Sequence, residues 1–287
     1  MSASIGLVTD SSAQLPAHLA RELGVDVVPV GIILDDRPWD ETDLDVDQFY
    51  DRLRRGARPT TSQPSPGRFA DAYARAADLG AREVLSIHVA GAVSGTVEAA
   101  ELAARETRIP ITVVDTGTVS FGVAVCVIAA HDVLAAGGSV GDAVAAVERT
   151  GPTLRNAFVA GRAPGGRVPS AEGLPVLAFV GASAEALGSA ETLEHAAELI
   201  AARVLSGDER ITAAVGHADR TTSAAAGALA ALLARSDRVA GLMRYRVGPS
   251  VGAHTGPLSF GAFWWPVTAP ADAAGQATRS RRADRPR

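Results

Sequence analysis

The chain contains no lysine at all; its 27 basic side chains are all arginine. That excludes Schiff-base catalysis and a P-loop lysine. It has one cysteine, Cys126, inside the apolar run "VAVCVIAA". A lone cysteine makes no internal disulfide and no cysteine-based zinc site, and this one reads as a small buried hydrophobe. Aromatic residues are few, at 5%. A core built on alanine and valine calls for helices packed closely through small side chains. Basic charge is not in excess, because the formal net charge is -5. Nothing favours nucleic acid as a partner. No apolar run reaches the ~18 residues a membrane-spanning helix needs. The start, "MSASIGLVTDSS", has no basic stretch before its apolar run, so no signal peptide is expected and a cytoplasmic location fits.

What the sequence does have is alternation. "IGLVT" (5–9) reads as a buried strand ending in a polar loop, and "LPAHLARELG" as a helix closed by Gly24. "VDVVPVGIIL" (25–34) reads as a second strand and "DVDQFYDRLRRG" (45–56) as a helix with an acidic start and a basic end. A helix over about 66–79, a strand over 83–88, a helix over 94–107, a strand over 111–115 and a buried helix from 119 follow. This order predicts a parallel sheet covered on both faces. A helix near 140–150 precedes a boundary at "TGPT". We expect an N-terminal α/β domain over 1–152 and a second α/β domain over 153–267. Residues 268–287 predict a disordered tail. In the second domain, a helix runs through 192–205, "RITAAVGHAD" reads as a strand, and 238–265 reads as two or three strands around a glycine-rich turn.

Several hydroxyl-rich segments fall at predicted strand ends. In "TTSQPSPG" (60–67), Ser65 followed by Pro66 reads as a helix cap and first turn. Thr60, Thr61 and Ser62 lie too far upstream to cap that helix. They either stabilise the loop through hydroxyl–backbone turns or are free for a ligand. Ser94-Gly95-Thr96 lies between a strand and a helix, where open α/β sheets bind ligands; Ser94 reads equally as a helix cap. Asp10-Ser11-Ser12 and Asp115-Thr116 end strands on the same predicted edge. Little positive charge accompanies them, which suits a single carboxylate held by neutral donors. His254, in "AHTGP" (253–257), is placed in a glycine-rich turn, where it can donate a hydrogen bond and titrate near neutrality. His88, His131 and His217 read as structural.

The set "DSSAQLP", "TSQPSPGRF", "VSGTVEAAELA", "VVDTGTVSFG", "GGRV" (165–168) and "AHTGP" resembles, in order and over nearly the whole chain, the DegV family of bacterial fatty-acid-binding proteins. The resemblance implies a two-domain α/β fold, with the acyl chain in an apolar tunnel of the N-terminal domain and the second domain closing over it. It implies a long-chain fatty acid as ligand, with no cofactor and no metal. In members that serve as fatty acid kinase B subunits, the bound acid is presented to an ATP-using kinase partner. On that basis Thr61, Ser94 and His254 would hold the carboxylate. Ser62, Gly95, Thr96, Asp10, Ser11 and Thr255 would support the site, and no residue is catalytic. The chain departs from the family pattern at Ala90 and Gly91, where serines are common, and at Leu258, where the histidine motif usually ends in glycine. A lysine in the strand "LPVLAFVG" and an arginine near "SAETLEH" are missing; both are plausible partner-docking groups. Two other readings stand beside the carrier. One is a serine hydrolase using Ser94, His254 and Asp10, although "GAVSGT" lacks the nucleophile-elbow glycines. The other is a divergent small-acid or lipid sensor.

Overall fold

The computed structural model describes residues 4–161, 173–180 and 183–267. The "GGRV" segment and the tail at 268–287 lie outside the described residues. The first part of the chain runs β1 (Ile5–Asp10), α1 (Ala17–Glu22), β2 (Val25–Val28), β3 (Gly31–Leu34), β4 (Arg37–Asp40), α2 (Val46–Arg54) and β5 (Thr60–Ser62). It continues with α3 (Pro66–Asp78), β6 (Glu83–His88), α4 (Thr96–Ala104), β7 (Ile111–Asp115), α5 (Phe121–Ala135) and α6 (Val140–Thr150). A four-stranded parallel sheet forms in the order β2-β1-β6-β7.

The pleat explains how alternate residues of this sheet serve two cores. Val8 and Val84 face α3 and α4, joining Phe69, Tyr73, Ala99 and Ala100. Leu7, Leu85 and Ile87 face the other way, onto Cys126, Val127, Ala130 and Val147 of α5 and α6. Both faces are thus buried, as a parallel sheet requires. Cys126 is fully enclosed, and burial pushes its thiol up to about 12.

The segment 25–34 is not one strand. Pro29 lacks an N–H for the ladder, and the chain changes sheets there. β3 instead pairs antiparallel with β4 and β5 in a separate three-stranded sheet. Asp35 and Asp36, with φ of 52° and 59°, make the two-residue turn between β3 and β4. The predicted loop at 60–62 is therefore a short strand, with Thr61 registered against Ile32. Ser65 does occupy the cap position of α3, but its side chain makes no capping bond.

The second part comprises β8 (Arg155–Val159), β9 (Leu174–Val180), β10 (Ser183–Ala190), α7 (Leu193–Val204), β11 (Ile211–His217), α8 (Arg220–Ala234), β12 (Val239–Arg246), α9 (Pro249–Thr255) and β13 (Phe260–Pro266). Its six-stranded mixed sheet runs β10-β9-β8-β13-β11-β12, with β11 and β12 parallel. One face packs on α7 and α8 through small residues such as Ala197, Ala225 and Ala226. The other joins the first part of the chain: Ile32, Phe49, Tyr50 and Phe121 pack with Tyr245, Val247, Ala253 and Phe263. Phe121 stacks on Tyr245 at 4.4 Å between centroids. Gly216 makes room for that tyrosine, since a Cβ there would meet its ring at 2.2 Å.

The stretch predicted as strands around a turn at 238–265 holds a helix, α9. Pro249 fits its first turn, and Gly256, at φ 78°, ends it. His254 accordingly sits in the last turn of a helix. Leu258 is not in a left-handed conformation, because Gly256 alone makes that bend in this segment.

Candidate functional site

The C-terminal edge of the parallel sheet is tied together from beneath. Asp10, at the end of β1, is fully buried; His88, at the end of β6, donates from Nδ1 to its Oδ2 at 2.9 Å. The backbone N–H groups of Ser12 and Val89 also donate to this carboxylate, at 3.1 and 3.3 Å. Burial alone would raise the Asp10 pKa. The His88 bond and charge, with Ser12 and Val89, outweigh it and hold the carboxyl below its usual range. Beyond His88 the chain of polar groups continues through Ser86 Oγ, 2.6 Å from Nε2, to Tyr73 Oη at 2.9 Å from Ser86. Burial pushes the Tyr73 hydroxyl up to about 12, with the Ser86 bond opposing. Asp115, ending β7, accepts from Gly91 N–H at 3.0 Å and Gly117 N–H at 2.8 Å, linking the loops after β6 and β7.

On this base three segments meet. Thr61 comes from β5, Ser94 from the loop entering α4, and His254 from α9; all three line one cavity of about 260 Å³. Thr61 Oγ1 lies 2.9 Å from His254 Nε2. Ser94 Oγ lies 2.8 Å from Thr96 Oγ1 and accepts the Thr96 N–H at 3.3 Å, so it caps the turn and faces the cavity at once. Gly95 does not line the cavity itself, but the Gln63 amide lies directly against it, 2.6 Å from where a Cβ would stand. The two motif loops therefore touch. Ser62, Thr96 and Thr255 also line the cavity.

His254 is open to the cavity, yet surrounding protein removes enough solvent to pull its pKa below the ordinary value. Its helix has seven residues, too few to persist alone. A buried network anchors its start. Glu41 accepts from Ser250 N–H at 2.8 Å and Ser250 Oγ at 2.7 Å. The Gln14 side chain bonds Gly248 N–H and, at 3.2 Å, Ser250 Oγ. Tyr50 Oη donates to Val247 C=O at 2.8 Å. Burial raises the Glu41 pKa; bonds from Ser11, Ser250 and Gln14 oppose that without cancelling it.

Two expected supporting residues have other duties. Asp10 lies under the cavity, bound to His88, and does not line it. Ser11 turns toward Glu41 and accepts Val30 N–H, while its neighbour Ser12 lines the cavity. The hydrolase relay is not assembled: Asp10 pairs with His88, Ser94 with Thr96 and His254 with Thr61. Sequence reasoning missed Gln63, Ser120, Phe179 and Ser250 as lining residues. Ser120 holds φ 53°, an unusual conformation for serine of the kind that gathers at functional sites. Its signal was the "DTGTVSFG" motif; Phe179 carried none.

Away from the hydroxyls the walls are apolar: Val30, Val89, Val93, Val119 and Val251. Val119, Ser120 and Phe179 also border a narrow extension of about 40 Å³, lined further by Phe158, Tyr245, Phe260 and Phe263. The resemblance placed the tunnel in the N-terminal part; the extension is walled largely by the second sheet. No Arg, Asp or Glu is among the described residues lining the main cavity. No group of three or more metal-binding side chains occurs among the described residues, and no described helix is long and apolar enough to cross a membrane.

Residues 4–267 match the profile of the family described as "Uncharacterised protein, DegV family". A DegV domain-containing protein of Streptomyces coelicolor is 35% identical over 277 residues, which is 90% of this chain and 96% of that protein. Among solved structures, a Thermus thermophilus DegV family protein reported for its fatty acid binding shares 33% identity at a TM-score of 0.81, covering 92% of this chain and all of that one. DegV from Bacillus subtilis, described as a fatty acid binding protein, shares 25% identity at a TM-score of 0.79, covering 93% of this chain and all of that one.

Proposed function

The chain belongs to the DegV family, and from that premise we propose that it binds a long-chain fatty acid, its carboxylate at Thr61, Ser94 and His254 and its tail in the apolar cavity. One observation carries the reading: hydroxyls and an imidazole from three separate segments face a cavity whose remaining walls, apart from the Gln63 amide, are valine and phenylalanine. The physics is favourable. Each buried methylene contributes about 0.8 kcal/mol, so the tail supplies most of the affinity. A carboxylate at the edge of such a cavity needs donors, since an unpaired one would be costly to bury. The two hydroxyls and the imidazole N–H supply them without a fixed positive charge, and affinity then follows the tail more than the head.

Ser62, Gln63 and His254 are exposed, so a second protein can reach the head group while the tail stays enclosed. This supports a carrier that presents the acid to an ATP-using kinase partner, which makes the acyl phosphate. Native mass spectrometry of gently purified protein tests the binding, with a bound C14–C18 acid expected. Protein that neither carries nor takes up fatty acid refutes it. Acyl phosphate made from ATP by this chain alone would refute the division of labour.

A further inference from the structure

We infer that Phe179, latched by Asn156, is the wall that ends the acyl channel and thereby sets the chain length of the bound acid; this rests on the fatty-acid reading above. Phe179 and Val119 are the two residues shared by three neighbouring spaces: the main cavity, its narrow apolar extension and an outer cleft of about 330 Å³. The cleft is also lined by Arg155, Arg203, Pro152 and Trp264. The Phe179 ring stacks on Phe158 at 5.1 Å between centroids, and both rings face the extension.

The way Phe179 is held sets it apart from an ordinary strand residue. The ladder between β8 and β9 covers Phe158 and Val159 but does not reach Asn156. Where the ladder stops, the Asn156 side chain continues it. Its Oδ1 accepts Phe179 N–H at 2.7 Å, and its Nδ2 donates to Phe179 C=O at 3.2 Å. On its other side β9 is paired with β10, where Ala184 stands opposite Phe179; on the β8 side the wall is held by a side-chain amide. A longer tail would have to displace the ring and emerge beside the arginines of the cleft, where apolar surface returns to water. That cost opposes longer chains. Removing the ring leaves space that a longer tail can fill.

The test uses delipidated full-length protein, incubated with an equimolar mixture of C12–C20 saturated acids and read by native mass spectrometry. Phe179→Ala is expected to move the preferred chain longer by about two to four carbons, the reach of the ring removed. Val119→Ala, which thins the same wall from the other side, and Asn156→Ala, which frees the latch, are expected to shift it in the same direction. Circular dichroism reports which variants fold; if Phe179→Ala does not, Val119→Ala decides. Folded variants with the wild-type chain distribution overturn the wall while leaving fatty acid binding intact. A wild-type protein that takes up no acid overturns both.

Discussion

Thr61 and Ser94 reach the same cavity, but they are not equivalent as probes. Ser94 also accepts the Thr96 N–H in the turn that leads into α4, so Ser94→Ala removes a local side-chain-to-backbone bond, worth about 1 kcal/mol, as well as a ligand donor. Thr61→Val is the cleaner change, since Thr61 Oγ1 bonds only His254 among the described residues and valine keeps its shape and its place on β5. A hydrogen bond to a charged group contributes about 1.5–3 kcal/mol, less where water can substitute. We expect Thr61→Val to weaken fatty acid binding about tenfold, with an unchanged urea midpoint. Equal affinity in a titration would remove Thr61 from the head-group site. His254 gives a second residue-scale test. Burial holds its pKa low, so the free protein carries it neutral; its contribution to stability is present above the ordinary histidine value and is lost as pH falls through the depressed one. A carboxylate alongside favours the charged ring, so binding takes up a proton. Affinity for the ionised acid should rise as pH drops from about 8 toward 6. His254→Gln, which keeps a donor but does not titrate, should flatten that part of the profile; parallel profiles for wild type and variant would count against the assignment.

At the scale of elements, α9 shows why one part of the site was harder to read than the rest. The alternating strands and helices of the first part were legible because each carries a clean period: "EVLSIH" and "ITVVD" are strands with the bounds their apolar runs suggest, and Phe69 and Tyr73 mark α3 one turn apart. Hydroxyls at strand ends marked one edge of the sheet, and beside it Thr61, Ser94 and His254 line one cavity. The helix bearing His254 has no such period. Its glycines read as a turn, and its stability comes from Glu41 and Gln14, more than 200 residues away. Nothing local announces that. β10 was missed for a related reason: "SAEALGSA" alternates only over its first four residues and has no β-branched or aromatic side chain, and its register against β9 is what makes it a strand. The distant anchoring can be tested. Glu41→Ala leaves a buried donor on Ser250 and a half-buried one on Ser11 without their acceptor, at a cost of about 2 kcal/mol in urea unfolding. It should also weaken fatty acid retention, although Glu41 does not line the cavity. Destabilisation with full retention would mean that α9 keeps His254 in place without this network.

For the whole molecule, the consequence follows from where the cavity lies. Its hydroxyl end is built on β5, the loop entering α4 and α9, while its apolar extension is walled by Phe158, Tyr245, Phe260 and Phe263 of the six-stranded sheet. The same region carries the apolar cluster in which Phe121 and Ile32 pack against Tyr245 and Phe263. A tail in that space adds contacts to both sheets at once. Ligand that binds only the folded state stabilises it by about 2.7 kcal/mol at a hundredfold excess over Kd. For a chain of this size that corresponds to a Tm increase of about 5 °C on loading. Because both sheets contribute walls, calorimetry should show one transition moving as a unit when the protein is delipidated and reloaded. Two transitions, with only the one belonging to the parallel sheet responding to fatty acid, would mean that the tail lies within the first part of the chain and that the aromatic extension beneath the second sheet has no share in holding it.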